Sequence, residues 1–246
     1  MSKFPIDSSK DIFSAAMEKT DRHPFARLLY QLSLRLNSFS RSIEAFLIQQ
    51  SLRRAGLLHI EHIQTYTSKR ELRTLYELAI TSPQGAKALE IGAYLGASSC
   101  YLAAGLAQLG GQLICVDTWQ NDAMPDERED TLAAFLRNIH PLRHVITPLR
   151  KNSRDLTLTD IQNHFDLIFI DGDHSYEAAG SDFAIVQPWL TSGGIIAFHD
   201  FSPRDHEGVT RVVGEALASG DWILAGLIDS LAWIKRAHWR PSDSPR

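Results

Sequence analysis

Acidic and histidine residues gather at two places in this chain, Asp171-Gly-Asp-His-Ser-Tyr-Glu177 and His199-Asp-Phe201, each directly after an apolar run. Packing does not explain such clusters, because a carboxylate at the end of a buried strand is costly unless a cation or hydrogen-bond donor compensates it. The plainer alternative is that these residues cap the following helices and face solvent. If they converge, they suit removal of a proton from a hydroxyl. A divalent cation held by carboxylates lowers the hydroxyl's pKa, and a nearby histidine accepts the proton. Asp171 and Asp200 are the candidate metal ligands, with His199 as a third, and His174 is the candidate catalytic base beside Asp171. Magnesium prefers oxygen, so a histidine among the ligands leaves Mg2+, Mn2+ or no metal open.

A second constellation lies upstream, in Glu90-Ile-Gly-Ala-Tyr-Leu-Gly96 followed by Ser98 and Ser99. Gly92 and Gly96 let the backbone turn sharply and approach a ligand closely, with Ala93 in the turn; a purely structural turn would look the same. Asp117 ends the next apolar run, followed by Thr118, where a carboxylate can accept the hydroxyls of a ribose. Dinucleotides need G-x-G-x-x-G so that backbone amides meet a pyrophosphate. This chain has G-x-x-x-G with Glu90 two residues ahead of it, a carboxylate that would repel phosphate. S-adenosylmethionine carries an ammonium and a sulfonium, and a pocket framed by Glu90, Asp117 and Asp171 complements it. The pattern therefore favours S-adenosylmethionine over NAD.

Strands over 87–91, 112–117, 144–148, 166–170 and 194–199 alternate with helices near 98–109, 126–138, 157–163 and 175–188. A helix over 208–219 precedes two strands, 222–228 and 230–236, joined too tightly for a helical crossover and hence antiparallel. The predicted fold is α/β and Rossmann-like: a mostly parallel seven-stranded sheet with an antiparallel final hairpin, after a helical N-terminal region. Ser68 and Glu71 form a capping box that opens a helix. The predicted organisation is a helical region over 1–67, a cofactor-binding domain over 68–240 and a mobile tail over 241–246. Within the first region, Phe25, Leu29, Leu32, Leu36, Phe39, Ile43 and Phe46 follow heptad spacing on a helix over 24–54. That stripe suits a helix lying on its own domain, a dimer contact or a membrane surface.

Residues 1–73 carry 12 Lys/Arg against 7 Asp/Glu, whereas the remainder carries 13 against 22. An acidic catalytic part argues against a nucleic-acid substrate, which needs a basic track. Cys100 and Cys115 sit in apolar stretches and suggest no disulfide framework. With no apolar run long enough to span a bilayer and no leader-like N-terminus, a cytoplasmic protein is expected. Trp119 and the acidic loop Asp122–Asp130 either fold over a cofactor or form a plain surface loop, and Arg204 and His206, which follow the second cluster, either touch substrate or are plain surface loop residues, the latter favoured.

From Glu71 to Phe201 the chain resembles the class I methyltransferases, and within them the macrolide-sugar and aminocoumarin-sugar O-methyltransferases and cephalosporin-biosynthesis methyltransferase-like proteins. ALEIGAYLGASS, LICVDTW, LIFIDGDHSYE and GGIIAFHD carry the likeness. The resemblance implies Glu90, Gly92 and Ser98 around the methionine end of the cofactor, Asp117 on the ribose and Ser153 near the adenine. It also implies Asp171 and Asp200 as metal ligands and His174 as base. His199 departs from the sugar enzymes, which tend to have a carboxylate there. The implied activity is O-methylation of a hydroxyl on a small molecule, sugar or glycan. The first 70 residues lie outside the resemblance; in such enzymes this region often closes over the site or mediates oligomerisation, and a homo-oligomer through the N-terminal helix is expected. A non-catalytic cofactor-binding accessory protein and an NAD-dependent oxidoreductase are the alternatives.

Overall fold

The computed structural model describes residues 24–121, 129–161, 164–202 and 207–237. Two compact units divide the chain, Met1–Ala55 and Gly56–Arg246. The first contains helix α1, Pro24–Arg54. Pro24 at its start needs no backbone N–H, and the rest of the 31-residue helix contains no glycine or second proline to interrupt it. Its heptad residues Leu29, Leu32, Leu36, Phe39, Ile43 and Phe46 are all exposed. The side chain of Phe25 and residues 1–23 lie outside the described residues, as do the tail, Arg204, His206 and most of the 122–130 loop.

The second unit is a seven-stranded sheet in the order β3-β2-β1-β4-β5-β7-β6. Its strands are β1 Lys87–Ile91, β2 Gln112–Asp117, β3 Ile146–Arg150, β4 Phe165–Ile170, β5 Leu190–Phe198, β6 Trp222–Ile228 and β7 Leu231–Arg236. β1 to β5 are parallel to one another, and β7 runs antiparallel to both β5 and β6. The helices are α2 Lys69–Ile80, α3 Ala97–Ala107, α4 Leu132–Asn138, α5 Leu158–Ile161, α6 Tyr176–Val186 and α7 Glu207–Ala218. No described helix is long and apolar enough to cross a membrane.

The expected α/β architecture and antiparallel hairpin are both present. The differences are local: β5 starts at Leu190 rather than 194, β3 runs over Ile146–Arg150 rather than 144–148, and α4 begins only at Leu132. β5 extends because Phe165 pairs with Leu190 ahead of a register shift, an arrangement that depends on the neighbouring strand. Tertiary pairing fixes strand ends where the local pattern is ambiguous.

The chain works outward from β1 to β3 and then returns to add β4 on the other side of β1. This reversal leaves a crevice at the carboxyl ends of β1 and β4, where ligands bind in open α/β sheets. Leu89, Ile91, Val116, Ile168, Ile170, Ile196 and Phe198 form part of the buried core beneath that edge.

Candidate active site

The turn after β1 is held by the end of β2. Asp117 Oδ2 accepts the backbone N–H groups of Ala93 and Tyr94, each at 2.8 Å, and Oδ1 accepts that of Trp119 at 2.6 Å. Three donors on one carboxylate fix this loop, which includes Tyr94 and Trp119 in the left-handed region at φ 44° and 51°. Gly92 has φ 84°, and a Cβ there would lie 2.0 Å from the carbonyl oxygen of Asp171. Only glycine allows the β1 and β4 ends to approach so closely. Gly96, at φ 86°, precedes α3, and a Cβ on it would press on Phe135 and Ile139. It serves helix packing and is not among the residues that line the cavity.

Glu90 also lies off the cavity wall. Its side chain is fully buried beneath the loop, accepting from Ser98 Oγ at 2.6 Å, from Ser99 Oγ, and from Cys115 Sγ at 3.1 Å. Burial pushes its pKa up to about 7 against the opposing hydrogen bonds. Its structural action is therefore on the start of α3, through Ser98, which does reach the cavity. Trp119 is likewise core: fully buried, 4.8 Å from the Phe135 ring centroid, with its indole N–H donated to the Tyr94 carbonyl at 3.1 Å. It does not fold over the crevice.

The ends of β4 and β5 bring Asp171, His174, His199 and Asp200 together. His199 is buried, with Nδ1 at 3.1 Å from both Asp171 Oδ1 and Asp200 Oδ2. Its Nε2 lies 3.4 Å from Glu71 Oε2. Burial alone would favour the neutral ring, yet the carboxylates of Asp171, Asp200 and Glu71 outweigh it and push the His199 pKa up to about 12. Asp200 accepts His174 Nδ1–H at 2.9 Å, which raises the His174 pKa against partial burial. Asp200 itself sits at φ 58°, a strained conformation for a non-glycine residue that directs one carboxylate to both histidines. Its own pKa is held well below the usual range, the two histidines outweighing burial.

These groups open into one cavity of about 670 Å³, within the size range of small-molecule sites. Gly92, Ala93, Ser98, Asp117, Thr118, Ser153, Asp171, His174, His199 and Asp200 line it. Gln64, Thr65, Tyr66 and Thr67, just ahead of α2, form another wall that the sequence motifs did not mark. Tyr66 is exposed and lies 6.0 Å from the Tyr94 ring. No sequence motif marks Asp182 on α6 either. It is buried, lines the cavity and pairs with Ser153, and burial raises its pKa. His140, His144 and His164 are not among the cavity residues.

Asp171, His199 and Asp200 offer ligand atoms that all lie within 4.8 Å of one another. Two carboxylate oxygens and one imidazole nitrogen form a donor set compatible with a divalent cation, provided Nδ1 gives up its proton.

A family model described as "Methyltransferase domain" matches residues 89–201, a span that contains both constellations. A curated protein of Acanthamoeba polyphaga mimivirus, "Uncharacterized protein R132", is 33% identical over 66 residues, covering 25% of this chain and 30% of that protein. The SAH-bound Podospora anserina methyltransferase PaMTH1 superimposes with a TM-score of 0.57 at 15% identity, over 81% of this chain and 95% of that one. The O-methyltransferase from Bacillus cereus, solved in complex with SAH, gives 0.54 at 20% identity, over 76% and 90%. CalS11, a TDP-rhamnose 3'-O-methyltransferase of calicheamicin biosynthesis, gives 0.51 at 15% identity, over 76% and 93%. At these identities the structures establish a shared fold.

Proposed function

We propose, from the premise that residues 89–201 form a class I S-adenosylmethionine-dependent methyltransferase domain, that this chain methylates a hydroxyl group on a small-molecule or sugar acceptor with assistance from a divalent cation. The observation carrying this reading is the meeting of the glycine turn and the Asp171–His174–His199–Asp200 cluster in one cavity.

The residues fit the cofactor. Gly92 lies on the cavity wall, where Asp117, Asp171, Asp173, Asp182 and Asp200 outnumber the basic Lys151 and Arg154, and a ligand bearing an ammonium and a sulfonium complements that acidic excess. S-adenosylmethionine would supply an electrophilic methyl group. Ser98, Ala93 and Thr118 on the cavity wall would supply polar and backbone contacts beside it, and Ser153, which also lines the cavity, would lie near the adenine. Asp117 spends three acceptor positions on the loop, so its part in binding is chiefly to shape the turn, with its remaining capacity available to a ribose hydroxyl.

Asp171, Asp200 and His199 would hold the cation, which would lower the pKa of an acceptor hydroxyl. Mixed oxygen and nitrogen donors suit Mn2+ at least as well as Mg2+. His174 is the proton acceptor. In this reading Nε2 receives the hydroxyl proton, while the Asp200 carboxylate on Nδ1 stabilises the ring once it is charged. The segment 64–67 and the Tyr66–Tyr94 pair on the cavity wall would flank the acceptor, and the sugar substrate named for CalS11 supports a sugar-bearing one. The exposed heptad stripe of α1 supports self-association.

Isothermal titration of S-adenosylhomocysteine into the protein, with and without Mg2+ or Mn2+ and with NAD as control, tests the reading. Binding of S-adenosylhomocysteine but not NAD, followed by methyl transfer in an acceptor-hydroxyl screen, is expected. Absence of S-adenosylhomocysteine binding refutes it.

A further inference from the structure

We propose that Glu71 is a positioning residue: from the first turn of α2, its carboxylate holds the Nε2 side of His199 and so turns Nδ1 toward Asp171 and Asp200. Its consequence for metal affinity rests on the proposed cation site. Its consequence for ring orientation does not.

Glu71 belongs to a capping box, in which its carboxylate need only accept the Ser68 N–H. A capping glutamate can remain in solvent and lose nothing. This one is 2% exposed, and a carboxylate buried to that extent requires more than one donor. Four contacts are present. Oε1 accepts the Ser230 N–H and Oγ–H, each at 2.8 Å, while Oε2 accepts the Ser68 N–H at 2.8 Å and faces His199 Nε2 at 3.4 Å.

The same hairpin turn fixes the next stretch of the site, because the Ser230 carbonyl accepts the Phe201 N–H at 2.8 Å. Glu71 thus ties α2 and the β6–β7 turn to the His199-Asp200-Phe201 segment. A 180° flip of the His199 ring would place carbon atoms against all three carboxylates. With Nε2–H committed to Glu71, the other nitrogen must face Asp171 and Asp200. Histidine ligands generally have such an outer carboxylate, which sets which nitrogen is presented to the ion. Glu71 lies outside the 89–201 span, so this support comes from the N-terminal flank.

Glu71→Gln tests the proposal, because glutamine still serves a capping box but cannot offer acceptors to Ser68, Ser230 and His199 together. Ser68→Ala is the control, removing the cap hydroxyl while leaving the carboxylate. Free Mn2+ followed by electron paramagnetic resonance should show roughly 10- to 100-fold weaker binding in Glu71→Gln and a change of less than about threefold in Ser68→Ala. In metal-free protein with 15N-labelled histidine, the His199 ring resonances should move in Glu71→Gln and stay in place in Ser68→Ala. Should Glu71→Gln fail to fold, Glu71→Asp retracts the carboxylate from His199 while keeping a charged residue at the cap, and the same losses are expected. Equal Mn2+ affinities in Glu71→Gln and Ser68→Ala, or unmoved His199 resonances, overturn the proposal. Wild-type protein that binds no Mn2+ overturns the metal reading alone, and the resonances then decide the role of Glu71.

Discussion

Glu90 should make this protein less stable as the pH rises through neutrality, and Glu90→Gln should abolish that loss. Its carboxyl is fully buried, and burial lifts its pKa from 4.5 to about 7 in the folded chain. A carboxyl with a raised folded-state pKa contributes its full stability below the unfolded value and loses it as the pH climbs through the folded value. A tenfold change in an ionisation constant corresponds to about 1.4 kcal/mol, so the rise from 4.5 to about 7 amounts to about 3 kcal/mol. Between about pH 5 and pH 8.5, where most of that rise is traversed, the expected loss is roughly 2–3 kcal/mol. Urea unfolding of wild type and Glu90→Gln at both pH values isolates it, since other titrating groups contribute to both proteins and cancel in the difference. The variant should gain about 2–3 kcal/mol on wild type at the higher pH relative to the lower. A difference between the proteins that does not change with pH would show that Glu90 ionises as it does in the unfolded chain, and the account of its burial would fail.

Asp171→Ala and His174→Ala should each abolish methyl transfer while leaving S-adenosylhomocysteine affinity within about tenfold by calorimetry; loss of binding in both would remove these residues from the chemistry. Mn2+ affinity should rise with pH by up to about tenfold per pH unit, because the cation must displace the Nδ1 proton of His199, whose pKa stands at about 12, and a flat profile would exclude His199 as a ligand. Asp117→Ala should weaken S-adenosylhomocysteine binding by about 1.5–3 kcal/mol through loss of charged hydrogen bonds that shape the turn, and unchanged affinity would contradict that role. Leu36→Glu with Phe39→Glu, at positions 66% and 65% exposed, should shift the mass in light scattering toward a monomer if α1 mediates self-association, and an unchanged mass would exclude it.

Much of this molecule was legible without coordinates because its signals are local. Alternating apolar runs and helical patterns specify βαβ units, a short connection enforces the antiparallel hairpin, and Ser68 with Glu71 marks a helix start whatever surrounds it. The glycine turn and the Asp171 and His199-Asp200 clusters could be read for the same reason, since each follows a strand and strand ends converge at one edge of such a sheet. The direction of a side chain is not local. Glu90 looked like a cofactor contact, yet Ser98, Ser99 and Cys115 draw it beneath the loop. Trp119 reads equally as part of a fold over the cofactor or of a surface loop and is neither, packing on Phe135, while Glu71 reads only as a cap and meets His199, 128 positions away in the sequence. Sequence thus determined which elements form and which chemical groups reach the sheet edge. Tertiary structure decided which of those groups face the cavity and which are buried against one another, because that choice follows from packing between residues far apart in the chain.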